Sequence, residues 1–225
     1  MVFEMELKKY LLDLGVSKVG FADIDGLASD FLDLPNGISL ILKLPKKCVD
    51  YIENDEYDKY WMLFHKTMAE ITKIALLGEE FIKNKGYNAF ALTMDRNECD
   101  MEKLLSILPL KTIATKSGLG WIGRSSLFVC EEYGSAVCLS GILTDMPLEF
   151  AHSIEDSYCD DCEECQDACP VAAINPTKWN SRLNRSDIID IEVCSEYVID
   201  QFRKGSGCSK CLSECKLTQE YYKKI

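Results

Sequence analysis

Histidine is nearly missing, with two residues in a chain of 225. That scarcity leaves no Ser-His-Asp or Cys-His constellation to argue for, because each needs a histidine as base. His65, beside Phe64 in a stretch of helical periodicity, reads as a helix residue rather than an axial ligand. Positive charge is short as well: 25 Lys and Arg stand against 37 Asp and Glu, a formal net charge of −12. Nucleic-acid binders carry a basic footprint, since displaced phosphate counterions supply much of their affinity, so direct RNA or DNA binding is disfavoured. Long apolar runs are also lacking. The run 38–44 is broken by Lys43, and nothing approaches the length of a membrane span. The opening Met-Val-Phe-Glu-Met-Glu-Leu has no basic segment followed by an apolar one, so no export leader and a cytoplasmic location are expected.

What remains is ordinary globular composition, 47% apolar with a mean hydropathy of −0.08, in a chain long enough for one domain or two. Periodicity predicts a helix over 4–14, a strand over 16–24 and a second strand over 38–44 closed by Pro45. Tyr60, Phe64, Met68, Ile71, Ile74, Ala75, Phe81 and Ile82 recur at three and four. They predict a long amphipathic helix over 57–85, loosened at Gly78 and closed at Gly86. A strand over 89–93 and a short helix over 101–108 follow. The segments 126–130 and 136–143 flank Tyr133-Gly134-Ser135 and read as a β-hairpin. After Pro147 the chain turns to cysteine, short helices and loops. The expected organisation is therefore an α+β region at 1–150 and a separate region at 151–225.

Cysteine is the abundant residue, at twelve. An even count suggests disulfides in an exported chain, but without a leader the clustered spacing between Cys159 and Cys215 points to metal. The run Cys159-x2-Cys162-x2-Cys165-x3-Cys169-Pro170 is that of bacterial ferredoxins, in which three thiolates cap one [4Fe–4S] cube and the fourth serves the other. A second set follows as Cys194, then Cys208-x2-Cys211-x3-Cys215. By the same crossed logic one cluster takes Cys159, Cys162, Cys165 and Cys215, and the other takes Cys169, Cys194, Cys208 and Cys211. Zinc is the rival occupant, since C-x2-C pairs also ligate it, though the triple run is wasteful for zinc. Cys48 and Cys99 read as isolated thiols. Cys130 and Cys138 lie symmetrically about Gly134 and could face each other across the hairpin, or be small buried residues.

Asp156, Asp160, Asp161, Glu163, Glu164 and Asp167 crowd the first cysteine loop. Negative charge there would lower a cluster's potential, unless the face is simply solvated. Ser117-Gly118-Leu119-Gly120-Trp121-Ile122-Gly123-Arg124 is a second signal. Its glycines would allow a flat or anionic ligand to approach, which makes Gly118, Gly120, Trp121 and Gly123 candidate cofactor contacts. No βαβ unit surrounds it, so it is not a dinucleotide fingerprint. Lys111, Thr115, Lys116 and Arg124 could hold an anionic group there, or be surface residues. Trp61, Trp121 and Trp179 read most simply as packing.

Taken together, Gly118-Leu-Gly-Trp-Ile-Gly-Arg124, Leu143-Thr-Asp-Met-Pro-Leu148, the cysteine sets and the opening Leu11-x2-Leu14-Gly15-x3-Val19-Gly20-Phe21-Ala22-Asp23 resemble the epoxyqueuosine reductase family. The resemblance covers nearly the whole chain and is strongest from Lys111 onward. It implies a nitroreductase-like α+β domain holding cobalamin beside a ferredoxin-like domain with two [4Fe–4S] clusters. Electrons would come from a ferredoxin- or flavodoxin-like donor and pass to a corrinoid or a small-molecule acceptor. Three departures point away from tRNA as the substrate. The family's catalytic aspartate precedes its glycine loop, whereas the comparable stretch here, Leu104-Leu-Ser-Ile-Leu-Pro109, holds no acid, and nearby Asp95, Asp100 and Glu102 do not match. The tRNA-holding helical repeats of full-length members are not expected, and Lys216 follows Cys215 where the family has proline. The alternative is a non-enzymatic dicluster electron carrier.

Overall fold

The computed structural model describes residues 2–27, 34–93, 95–96, 99–100, 105–106 and 108–224. In chain order the elements are α1 (Val2–Asp13), β1 (Lys18–Asp23), β2 (Asn36–Lys43), α2 (Lys46–Glu53), α3 (Tyr57–Asn84), β3 (Ala89–Ala91), β4 (Cys99–Asp100), β5 (Leu105–Ser106), α4 (Leu110–Lys116), β6 (Trp121–Ile122), β7 (Phe128–Val129) and β8 (Val137–Thr144). Five more follow: α5 (Glu164–Asp167), a 3₁₀ turn (Arg185–Asp187), α6 (Ile191–Arg203), α7 (Lys210–Ser213) and α8 (Lys216–Lys223). The expected helix over 101–108 lies largely outside the described residues; Leu105–Ser106 within it pairs with Cys99–Asp100 as a two-residue ladder.

Two compact units form. The first comprises 1–42, 67–119 and 138–154. The second comprises 43–66, 120–137 and 155–225.

The first unit is built on a four-stranded sheet in the order β1-β2-β8-β3. β1 and β2 are antiparallel, with Phe21 opposite Ile38. Both strands bury almost every residue, which is why they read as apolar runs rather than alternating ones. Ala22, Ile24, Leu92, Leu108, Ile113 and Leu143 close one core cluster, with α4 packed on β1. Gly78 does not loosen α3. The helix runs through it, and the missing side chain permits close packing, since a Cβ there would lie 2.6 Å from Ile142 and 3.1 Å from Leu11.

The hairpin expected about Gly134 does not form. β7 pairs with β6, and β8 pairs with β3. The turn closes only a bridge between Cys130 and Gly134, which exchange backbone bonds of 3.0 and 2.9 Å. The reason is burial: six of the eight residues of β8 are buried, so it needs strand neighbours on both edges, and a two-residue arm cannot supply one. The turn is held instead from α8, where the Thr218 hydroxyl accepts the Ser135 amide at 3.0 Å. With no hairpin, Cys130 and Cys138 do not face across one, and both are buried.

In the second unit α8 is clamped to 43–46. Lys43 donates to the Tyr221 hydroxyl at 2.9 Å, Lys46 donates to the Tyr222 carbonyl at 2.9 Å, and the Tyr222 hydroxyl donates to the Leu44 carbonyl.

Candidate metal centre and glycine loop

Cys159 to Cys169 form a tight loop because local backbone bonds fold it back. The Cys162 amide donates to the Cys159 carbonyl at 2.9 Å, and the Cys169 amide donates to the Gln166 carbonyl at 3.1 Å. Asp160 and Ala172 take left-handed φ values of 46° and 48°, turning the chain just inside the start of the motif and just after its end. Cys194 lies in the first turn of α6, whose Asp190 cap accepts the Val193 amide at 3.0 Å. Cys208 precedes α7, Cys211 lies within it, and Cys215 caps α8. All eight are free and half-buried.

Cys165, Cys194 and Cys211 each have neighbours from both cysteine motifs. Burial, with the surrounding Cys159, Cys215 and Cys162 acting in the same direction, pushes the Cys165 thiol up to about 12. Burial also raises Cys194, beside Cys208 and Cys169, and Cys211, beside Cys208, Cys165, Cys194 and Cys169. Buried thiolates this close repel one another unless a cation binds among them. Ala173, Ile174 and Ile189 form an apolar cluster against Cys165, Cys169, Cys194 and Cys211. Backbone and side-chain donors reach the sulfurs: the Ala173 amide lies 3.3 Å from Cys169 Sγ, and the Trp121 indole N–H lies 3.4 Å from Cys159 Sγ. Among the described residues, no three His, Cys, Asp or Glu side chains converge as ligands of a single ion. A cube asks for something else, since each of its four thiolates serves a different iron. Soft thiolates in a half-dry apolar shell with N–H donors to sulfur fit such a cluster.

The glycine loop is tight for reasons internal to the protein. Gly118 holds φ at 66°, and a Cβ there would lie 2.8 Å from the His152 carbonyl oxygen. At Gly120 the Val129 carbonyl oxygen stands 2.1 Å from the Cβ position, and at Gly123 the Val129 side chain stands at 2.8 Å. Trp121 is buried, packs against Tyr158 at 5.1 Å between ring centroids, and bonds to a cysteine sulfur. Sequence offers it as a cofactor contact or a packing ring; its contact with a cysteine sulfur is a third role, for which its place two residues before Gly123 in the motif is the available signal. Thr115 spends its hydroxyl on the Thr112 carbonyl. Arg124 is buried and belongs with the cysteine loop, where its Nη2 donates to the Asp160 carbonyl at 3.2 Å. His65 is exposed against Trp61 and Phe64, and His152 is exposed. No helix among the described residues is long and apolar enough to cross a membrane.

The same architecture occurs in solved structures of two kinds of reductase. A structure of epoxyqueuosine reductase with an epoxyqueuosine-modified tRNA-Tyr stem loop superposes with a TM-score of 0.65 at 18% identity, covering 97% of this chain and 66% of that one. A reductive dehalogenase studied for B12-dependent dehalogenation superposes at 0.72 and 18%, covering 93% of this chain and 30% of that one. These likenesses show the fold. No family model matches the chain. The curated epoxyqueuosine reductase of Bacillus subtilis (strain 168) is 26% identical over 259 aligned positions, 95% of this chain and 63% of that protein. The chain is a relative of the epoxyqueuosine reductases and spans under two thirds of that enzyme's length.

Proposed function

We propose that the chain is an iron–sulfur oxidoreductase of the epoxyqueuosine reductase type, with a nitroreductase-like α+β part and a ferredoxin-like dicluster part. One [4Fe–4S] cluster would be held by Cys159, Cys162, Cys165 and Cys215, the other by Cys169, Cys194, Cys208 and Cys211. The observation that carries this reading is the company kept by Cys165, whose ionisable neighbours include Cys215 from the distant motif as well as Cys159 and Cys162. The clusters supply one-electron storage at low potential. The protein's own part is to shield the sulfurs with Ala173, Ile174 and Ile189 and to set donors on them from Trp121 and Ala173.

Electrons would arrive from a ferredoxin- or flavodoxin-like donor in the cytoplasm and leave to a corrinoid or another small acceptor. The close contacts of Gly118, Gly120 and Gly123 are with protein, so the corrinoid is supported by the shared fold rather than by those residues. A net charge of −12 and the missing acid between Leu104 and Pro109 disfavour tRNA as the substrate. Anaerobically prepared protein is expected to hold about eight irons and little zinc. Cobalamin added to it should change its visible spectrum on binding. Zinc in place of iron would remove the redox reading, and intact reducible clusters with no cobalamin binding would leave an electron carrier.

A further inference from the structure

Arg124 is the one arginine among the described residues with a buried side-chain nitrogen that finds no partner, its Nε. The residue is 4% exposed. Its guanidinium is anchored on the loop that carries the first cysteines: Nη2 donates to the Asp160 carbonyl at 3.2 Å and stands 4.0 Å from a carboxylate oxygen of the exposed Glu163. Its chain neighbours touch the sulfur before Asp160. Trp121 donates to Cys159 Sγ, and a Cβ on Gly123 would lie 3.6 Å from the same atom. The guanidinium is thus anchored on the residue that follows Cys159 in the cysteine loop.

A buried cationic donor left unpaired is costly, and a lone, distant, solvated carboxylate does not compensate it. An anionic acceptor that is not a protein atom would. We propose that Arg124 is a positioning and potential-setting residue for the cluster at Cys159, Cys162 and Cys165, donating from Nε to its sulfur and placing one buried positive charge against it. This rests on the iron–sulfur reading above. Reduction adds negative charge, so a buried cation and a donor to sulfur both favour the reduced form and raise the potential. Arg124 thereby opposes the exposed acids Asp160, Asp161, Glu163, Glu164 and Asp167, whose effect is weakened by water and salt. It would tune one cluster and leave the other alone.

The test is an anaerobic redox titration followed by EPR on wild type, Arg124→Met and Arg124→Lys, after iron analysis of each. Arg124→Met is expected to make one cluster about tenfold more oxidised at a fixed potential, a 59 mV fall for a one-electron couple, with the other cluster unmoved. Arg124→Lys keeps the charge but not the fork, and is expected to shift the same cluster in the same direction by less. Should Arg124→Met fail to load iron, the lysine variant and the wild type decide. Wild type carrying 15N-arginine is expected to show hyperfine coupling between a guanidinium nitrogen and one reduced cluster. Full iron with unmoved potentials in the variants, or no nitrogen coupling in the wild type, overturns the assignment. Wild type without iron removes the cluster reading itself, a result the iron analysis registers before any titration.

Discussion

At the scale of single residues, the indole of Trp121 has two jobs that a phenyl ring separates. Trp121→Phe keeps the ring against Tyr158 and deletes the N–H donated to Cys159 Sγ. Hydrogen bonds to cluster sulfur raise its potential, so one cluster should become on the order of threefold to tenfold harder to reduce in a redox titration, with iron content unchanged. Gly120→Ala acts on packing instead. A Cβ 2.1 Å from the Val129 carbonyl oxygen must push β6 from β7, and a loss of about 1–3 kcal/mol in denaturant unfolding is expected. A third consequence concerns alkali. Burial pushes the Cys48 thiol up to about 12 and the Tyr57 phenol up to about 12. Each is an acid whose folded pKa exceeds its unfolded one, so the folded state holds more protons over the interval. Stability is then intact below about pH 9 and falls as pH climbs toward about 12. Urea unfolding between pH 8 and 11 measures it, and Cys48→Ala should flatten the slope.

At the scale of elements, α6 shows how a cap would serve a proposed ligand, Cys194. The Asp190 side chain accepts the Val193 amide at 3.0 Å, one residue before Cys194. Asp190→Ala should cost about 1 kcal/mol of stability and speed iron loss to a chelator, because the first turn of α6 carries the thiolate. The legible elements were those whose period matched their burial. β1 and β2 are short buried runs, and α3 keeps its apolar stripe from Tyr57 to Asn84. The hairpin about Gly134 was misread because a glycine turn between two apolar segments signals local pairing, whereas the burial of β8 calls for partners distant in sequence. α2 went unnoticed because it is only eight residues long, though Pro45 before it marks a helix start. The Trp121–Cys159 contact was illegible for a related reason, since spacing of 38 residues says nothing of which indole edge meets which sulfur.

At the scale of the whole molecule, the cysteine spacing carries the proposed ligand set, while the residues packed against the first cysteine loop do not follow from spacing. Arg124 read as an anion-holding group or a surface charge and Trp121 as a cofactor contact or a packing ring, and only the folded chain places both against the first cysteine loop. The excess of negative charge, −12 over the full chain, also belongs to this scale. A stem-loop RNA should bind weakly or not at all in a filter or polarisation assay at moderate salt, and binding below micromolar would contradict that expectation. The central claim is that ligands are exchanged between two distant motifs, so that Cys215 belongs with Cys165 and not with Cys211. EPR of the reduced Cys215→Ser, Cys165→Ser and Cys211→Ser variants compares them directly. The account predicts that Cys215→Ser perturbs the same cluster signal as Cys165→Ser and spares the one altered by Cys211→Ser; a Cys215→Ser spectrum that matches Cys211→Ser instead would contradict it.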